Sequence, residues 1–296
     1  MTRNTWILIG VLLILAIATV LVLQQPGETS SSGSTGDILA RYDSAGVDKM
    51  EIHSSSGDIS LALEAGRWMV TSPMRSRADD AAVSAAVGKG KGIELKSLVS
   101  GNPQKQQLFQ VDSTGTLVRI FERGSERAAF RIGKPGTSYT ETYVRRENSN
   151  DVYLADGLLT YVFSRPLKDW RDKSIFKAES GSIQAVRFQY GDTTFTLAFQ
   201  DSAWRVDGDS TVESTVRSLL GSLGNLQADD FVDSTLSSMP QLTSQIEANG
   251  VALRFFFNKE GNKYYVQSSA SAQLFEVQQW KAVQVLKRKK DFVAPK

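Results

Sequence analysis

Trp68 and Trp204 stand 136 positions apart, and the apolar residues around them keep the same spacing. At that one offset, without a gap, Met50 matches Val186 and Ile52 matches Phe188. Ile59, Leu61 and Leu63 match Phe195, Leu197 and Phe199. Val70 matches Val206, Val83 matches Leu219, Val87 matches Leu223, and Gly88 matches Gly224. A shared rhythm of this length requires the chain to fold twice in a similar way. It predicts a tandem duplication, with units over residues 39–172 and 173–296 and with Trp68 and Trp204 in the two repeat cores.

The rhythm also names the elements. Val186, Phe188 and Tyr190 alternate with Arg187 and Gln189, and Phe195, Leu197 and Phe199 alternate with Thr194, Thr196 and Ala198. Period two means strands with one buried face. Gly191 and Asp192 supply a hairpin turn, and Gly57 and Asp58 are expected to do the same in the first unit. A third strand carries each tryptophan. Val212, Val216, Leu219, Leu220 and Leu223 then follow helical spacing. Ser210 and Glu213 form a capping-box pattern ahead of that helix. Residues 78–87 are its counterpart, with Asp79 and Asp80 in a first turn where the helix dipole favours negative charge. Gly88 and Gly224 are expected to end the two helices. Further strands are predicted over residues 117–123, 127–132, 251–258 and 263–267. The fold class is α+β: an N-terminal transmembrane helix, then two tandem units, each mainly antiparallel β-sheet with packed helices.

The transmembrane expectation rests on residues 6–23, eighteen positions in which Thr19 is the only clearly polar side chain. At ~1.5 Å per residue such a helix is roughly 27 Å long, close to the ~30 Å hydrocarbon core. Trp6 suits the headgroup region. Arg3 precedes the run, and no Lys or Arg follows until Arg41. The positive-inside bias puts the N-terminus in the cytoplasm and the bulk outside it. Ala16, Ile17 and Ala18 resemble a cleavage site, but apolar residues 20–23 follow them, so residues 1–23 read as a cytoplasmic stub and an uncleaved signal anchor. Residues 24–38 are rich in Ser, Thr and Gly and form a flexible linker. The expected localisation is the bacterial cytoplasmic membrane, single-pass, with the bulk periplasmic.

Charge and composition narrow the function classes. Thirty-four basic and 32 acidic residues leave a formal charge of +2, unlike the basic stripe of a nucleic-acid binder. The absence of Cys excludes disulfides, thiol catalysis, thiolate metal sites and a lipid-modified N-terminal Cys. His53 is the single histidine and lies on a strand, so a triad or a metal site would hang on one residue. Asp79 with Asp80, and Asp229 with Asp230, are adjacent carboxylates. Glycosidic acid–base chemistry needs two carboxyls facing across a cleft, and neighbours in sequence point different ways. Residues 88–92, Gly-Lys-Gly-Lys-Gly, lack the strand before and the GK[ST] ending of a phosphate loop. No catalytic, cofactor or metal residue is assigned.

Two charged segments are candidate contact surfaces. Asp169, Trp170, Arg171, Asp172 and Lys173 alternate in charge around an indole near the unit boundary, where arginine–carboxylate pairs can lock one unit to the next. Lys287, Arg288, Lys289 and Lys290 form a C-terminal basic run suited to anionic lipid or an acidic partner.

Several of these residues carry a resemblance. Trp68, Met69, Val70, Thr71, Ser72 and Pro73, then Ala78 and Asp79, Tyr143 and Val144, Val152, Tyr153 and Leu154, and the run from Asp169 to Lys173 resemble the bacterial domain-of-unknown-function family numbered four-three-four-zero. The resemblance spans most of residues 40–280 and includes the anchor layout. It implies a single-span envelope protein, often encoded beside ABC-type transporters related to the gliding-motility exporter. The implied partner is therefore a transporter permease or auxiliary subunit, and no catalytic residue carries over. The second unit has Asp207 where the first has Thr71, and it lacks the Asp169–Lys173 run. A surface built on those motifs is thus expected in the first unit alone.

The expected function is a non-catalytic accessory or scaffold protein of an envelope ABC transport system. The alternative is an envelope glycan- or lipid-binding protein, with Tyr264 and Tyr265 or Tyr139 and Tyr143 stacking on sugar rings. A carboxylate-dependent hydrolase is the third reading.

Overall fold

The computed structural model describes residues 36–234 and 236–293. The apolar run 6–23 and nearly all of the linker lie outside the described residues. No described helix is long and apolar enough to cross a membrane. The chain is mostly antiparallel β-sheet with a few helices, and it divides into two compact units.

The first unit comprises residues 36–75 with Asp80–Pro166. Its strands are β1 (Val47–Ser54), β2 (Gly57–Glu64), β3 (Arg67–Ser72), β4 (Glu94–Ser100), β5 (Thr116–Glu122), β6 (Ser125–Pro135), β7 (Glu141–Arg146) and β8 (Val152–Asp156). Helix α1 (Asp80–Lys91) precedes β4, and the short α2 (Leu159–Phe163) follows β8. The strands lie in the order β4-β8-β7-β6-β5-β1-β2-β3. Met50 and Ile52 of β1 and Ile59 and Leu61 of β2 are buried in period-two alternation, and Val47, three positions before Met50, is buried too where the register with β5 shifts between Val47 and Lys49.

The second unit comprises Ser76–Asp79 and the residues from Leu167 onward. Its strands are β9 (Ser174–Lys177), β10 (Ala185–Tyr190), β11 (Thr193–Gln200), β12 (Ala203–Val206), β13 (Asn225–Gln227), β14 (Asp230–Phe231), β15 (Leu242–Ala248), β16 (Val251–Asn258), β17 (Lys263–Ser268) and β18 (Leu274–Gln278). Its helices are α3 (Glu213–Gly224), α4 (Gln279–Val285) and α5 (Lys289–Phe292). The main sheet runs β12-β11-β10-β15-β16-β17-β18-β14, the same path as in the first unit, while β9 pairs separately with β13. Register agrees too. Met50 pairs with Leu61 and Ile52 with Ile59; Val186 pairs with Leu197 and Phe188 with Phe195. The core gathers Phe188, Phe195, Phe255 and Phe275 of the sheet with Leu219 and Leu223 of α3. Each such side chain contributes roughly 1.5–3 kcal/mol by leaving water.

Several local expectations are corrected. The unit boundary falls between Pro166 and Leu167, not after Asp172, and Ser76–Asp79 joins the second unit through backbone bonds to residues 170–172. The first hairpin turns at Ser55 and Ser56, because these, not Gly57 and Asp58, match Gly191 and Asp192 at the common offset. Helix α1 runs through Gly88 to Lys91, so Gly88 is interior. Helix α3 begins after Val212 without a side-chain cap; Ser210 instead pairs with Arg205. Trp68 and Trp204 are half-buried rather than central. Each lies beside a hairpin turn at the end of its strand, opposite Leu63 and Phe199, while Val70 and Val206 two residues on are fully buried.

Candidate functional site

The run from Asp169 to Lys173 is held by its backbone first. Trp170 O accepts from Asp79 N at 2.9 Å, Asp172 N donates to Arg77 O at 3.0 Å, and Lys173 O accepts from Ala228 N at 2.8 Å. These bonds fix where the five side chains go. The Trp170 ring is completely buried. Arg171 is buried as well: one nitrogen donates to Asp233 at 2.6 Å, another donates to Gln273, and its guanidinium lies 3.6 Å over the Phe231 ring. The flat guanidinium suits this combination of fork and stack, which an ammonium cannot reproduce. Asp172 pairs with Arg77 at 3.2 Å, and Lys173 pairs with Asp169 at 2.5 Å. Lys168 bonds Asp230 at 3.0 Å, and that carboxylate holds the ammonium above its ordinary pKa.

All of these partners belong to the second unit. The arginine–carboxylate pairing expected here is therefore present, but inside one unit. The expectation that this surface belongs to the first unit is overturned for the same reason. Beside the run lies a groove of about 350 Å³, lined by the Arg77–Asp172 pair, Asn249 and Gln273, and by Phe176 and Val251. Paired charges, amides and apolar side chains form a surface suited to recognition by hydrogen bonding and contact. Gln273 joins groove to run, because the same side chain bonds Arg171.

The family model for the Domain of unknown function (DUF4340) matches residues 68–245, well over half of the chain. The chain belongs to the DUF4340 family. The comparisons with curated proteins and with solved structures found no match. In this DUF4340 member the matched span reaches from the Trp68 strand past the Asp169–Lys173 run and into β15.

The other candidates fall elsewhere. In the basic run, Arg288 stacks 3.6 Å from the Tyr190 ring, and Lys289 reaches Asp207 at 3.0 Å and Asp209 at 3.5 Å. Tyr190 OH donates to Lys287 O at 2.8 Å. The run is thus docked on the second unit rather than extended as a tail. Arg288 and Lys290 stay exposed. His53 pairs across its hairpin with Asp58 at 3.1 Å. Asp229 accepts from Lys281 and from Gln278 N, each carboxylate oxygen serving one partner. Of the tyrosines, Tyr265 is buried, Tyr264 lies against Phe255 and Phe257, and Tyr143 lies 4.8 Å from Phe109; Tyr139 stays open to solvent. Among the described residues no group of three or more His, Asp or Glu could hold a metal ion.

Sequence reasoning missed Arg145. It is buried in the first unit and donates to the carbonyls of Val111, Arg146, Glu147 and Ser149. Burial pushes its pKa down, but a guanidinium stays charged. Arg131 completes the cluster with two bonds to Glu147, at 2.7 and 3.0 Å. Paired arginines directly after Tyr143 and Val144 were the available signal.

Proposed function

We propose that this DUF4340 member is a non-catalytic scaffold of the cell envelope. Residues 6–23 act as a single-pass signal anchor, the linker spans the interface, and the two sheet-rich units stand in the periplasm and bind a protein partner. The partner is a permease or auxiliary subunit of an ABC-type transport system. One observation carries the reading: the charged residues of the family-like run are consumed by internal pairing beside a recognition groove, while the polypeptide ahead of them begins with a membrane-length apolar run. Charges used in this way organise a rigid binding surface rather than chemistry on a substrate. Family membership and the shared strand path of the two units, read as a duplication, agree with it.

The test is affinity purification of the full chain from membranes solubilised in several mild detergents. A transporter subunit recovered in stoichiometric amount supports the proposal. Recovery of the chain without any transporter component in every detergent contradicts it.

A further inference from the structure

Trp280 is the second residue of helix α4 and leaves 61% of its surface in solvent, although an indole this size normally finds cover. It stands at the wall of a shallow cleft of about 230 Å³ in the second unit. The other side chains that matter there are Ser222 and Asn225 at the end of α3, Gln227 on β13, and Lys281 and Gln284 on α4. Three carboxamides and a hydroxyl beside a largely exposed indole form an uncommon combination.

The polar groups are only loosely engaged. Ser222 Oγ reaches Gln284 Oε1 at 3.4 Å, and Gln227 Nε2 reaches Asn225 Oδ1 at 3.3 Å, both long for hydrogen bonds. Each carboxamide also has a second polar atom, so the cleft offers both donors and acceptors. Lys281 is the only ionisable side chain lining the cleft among the described residues, and it is neutralised by Asp229 at 2.5 Å. It also donates to Gln227 O at 3.2 Å, and its ammonium lies 5.7 Å from the centroid of the Trp280 ring, so one face of the indole is approached by this cation.

We propose that this cleft binds a neutral sugar unit of an envelope glycan, with the pyranose ring lying on the Trp280 face that Lys281 does not approach. The electron-rich face of an indole attracts the slightly positive C–H groups on one side of a sugar ring. The carboxamides of Gln284, Gln227 and Asn225 then match sugar hydroxyls, each of which both donates and accepts. The charge balance selects the occupant: an anionic headgroup would find no free cation, and an apolar peptide would strand the carboxamides unpaired. The site uses α3, β13 and α4 alone and does not depend on the transporter partner, while the envelope source of the glycan rests on the anchor reading above.

The experiment is fluorescence and calorimetric titration of the full chain in detergent with neutral tetrasaccharides of glucose, mannose, galactose and N-acetylglucosamine. Saturable binding of at least one probe is expected, weakened at least about tenfold by Trp280→Ala and less by Trp280→Phe. Gln284→Ala should weaken it as well, and Tyr139→Ala should leave it unchanged. Trp280 is exposed, so the variants should melt with the parent, and Trp280→Phe guards against a local packing loss. Binding unaffected by Trp280→Ala, or no binding of any probe, overturns the proposal. Trp280-dependent capture on liposomes instead of sugar would also overturn it and make the indole a lipid contact.

Discussion

Arg171 donates to the Asp233 carboxylate at 2.6 Å from a position only 2% exposed, while Asp233 itself is 42% exposed. The pair is therefore asymmetric. Removing the cation leaves a carboxylate that can rehydrate, but also a hole over Phe231 and an unmatched Gln273. Arg171→Met should cost about 3 kcal/mol, the lower end for a broken buried pair. Arg171→Lys should recover only part of this, because one ammonium cannot serve fork and ring together. Denaturant unfolding of the full chain measures both, and a Lys variant as stable as the parent would contradict the geometry.

Two glycines of α1 should respond in opposite directions. A Cβ on Gly90 would lie 2.5 Å from the Tyr42 hydroxyl, which is buried and donates to Val87 O at 2.6 Å. Gly90→Ala should destabilise by about 1–3 kcal/mol through overpacking. A Cβ on Gly88 would meet nothing within 4 Å, so Gly88→Ala should stabilise by about 0.5–1 kcal/mol through helix propensity. Thermal melts of the pair check the sign, and adding Tyr42→Phe to Gly90→Ala should recover part of the loss.

The C-terminal segment is held more by one ring than by its four cations. Phe292 is fully buried, 5.9 Å from Phe188 and 6.3 Å from Phe195. Phe292→Ala should cost about 3–5 kcal/mol. Changing Lys287, Arg288, Lys289 and Lys290 together to Ser should cost only about 1–2 kcal/mol, since the ion pairs are solvated and the Arg288 stack is modest. Equilibrium unfolding ranks the two variants.

Acid should loosen the same segment. The Thr196 N–H holds the Asp207 carboxyl below its ordinary pKa; burial opposes this, and the Lys289 ammonium adds to it. A depressed folded value means that the stabilisation is complete above the ordinary carboxylate pKa and is lost as pH falls through the folded value. Hydrogen exchange of the Val212 amide, bound to Phe292 O at 2.7 Å, should therefore speed up below about pH 4 relative to a neutral reference. Asp207→Asn should flatten that dependence.

The strands with clean alternation were legible in the sequence, and so was their repetition. Val186 and Phe188 sit opposite Leu197 and Phe195, the pairing that their spacing suggested. Strand β15 was missed, although Asn249 and Gly250 form a turn with positive φ at both residues between it and β16. The first buried residue of β15 is a serine, Ser244, so only a short apolar pattern marks the strand. The place of Ser76–Asp79 in the second unit was not legible at all, because Ala78 meets Arg171 through backbone bridging, which leaves no side-chain pattern. The site divided in the same way. The alternating charges of residues 169–173 are plain in the sequence, but the partners Asp233 and Gln273 lie 62 and 102 positions further on from Arg171. Trp280 carried no signal beyond its identity, since exposure is decided by what fails to pack against it.

The scaffold role requires that the groove beside Asp172 and Gln273 hold a transport component at the membrane. A photoreactive amino acid placed at Ser271 or Asn249 of the full chain, in its native membrane, measures this directly. The expected result is one discrete adduct that contains a permease or auxiliary subunit, absent when the same probe sits at Asp192 in the turn after β10. A chain that fractionates away from the membrane, or groove probes that give no adduct while the chain is folded and abundant, would contradict it.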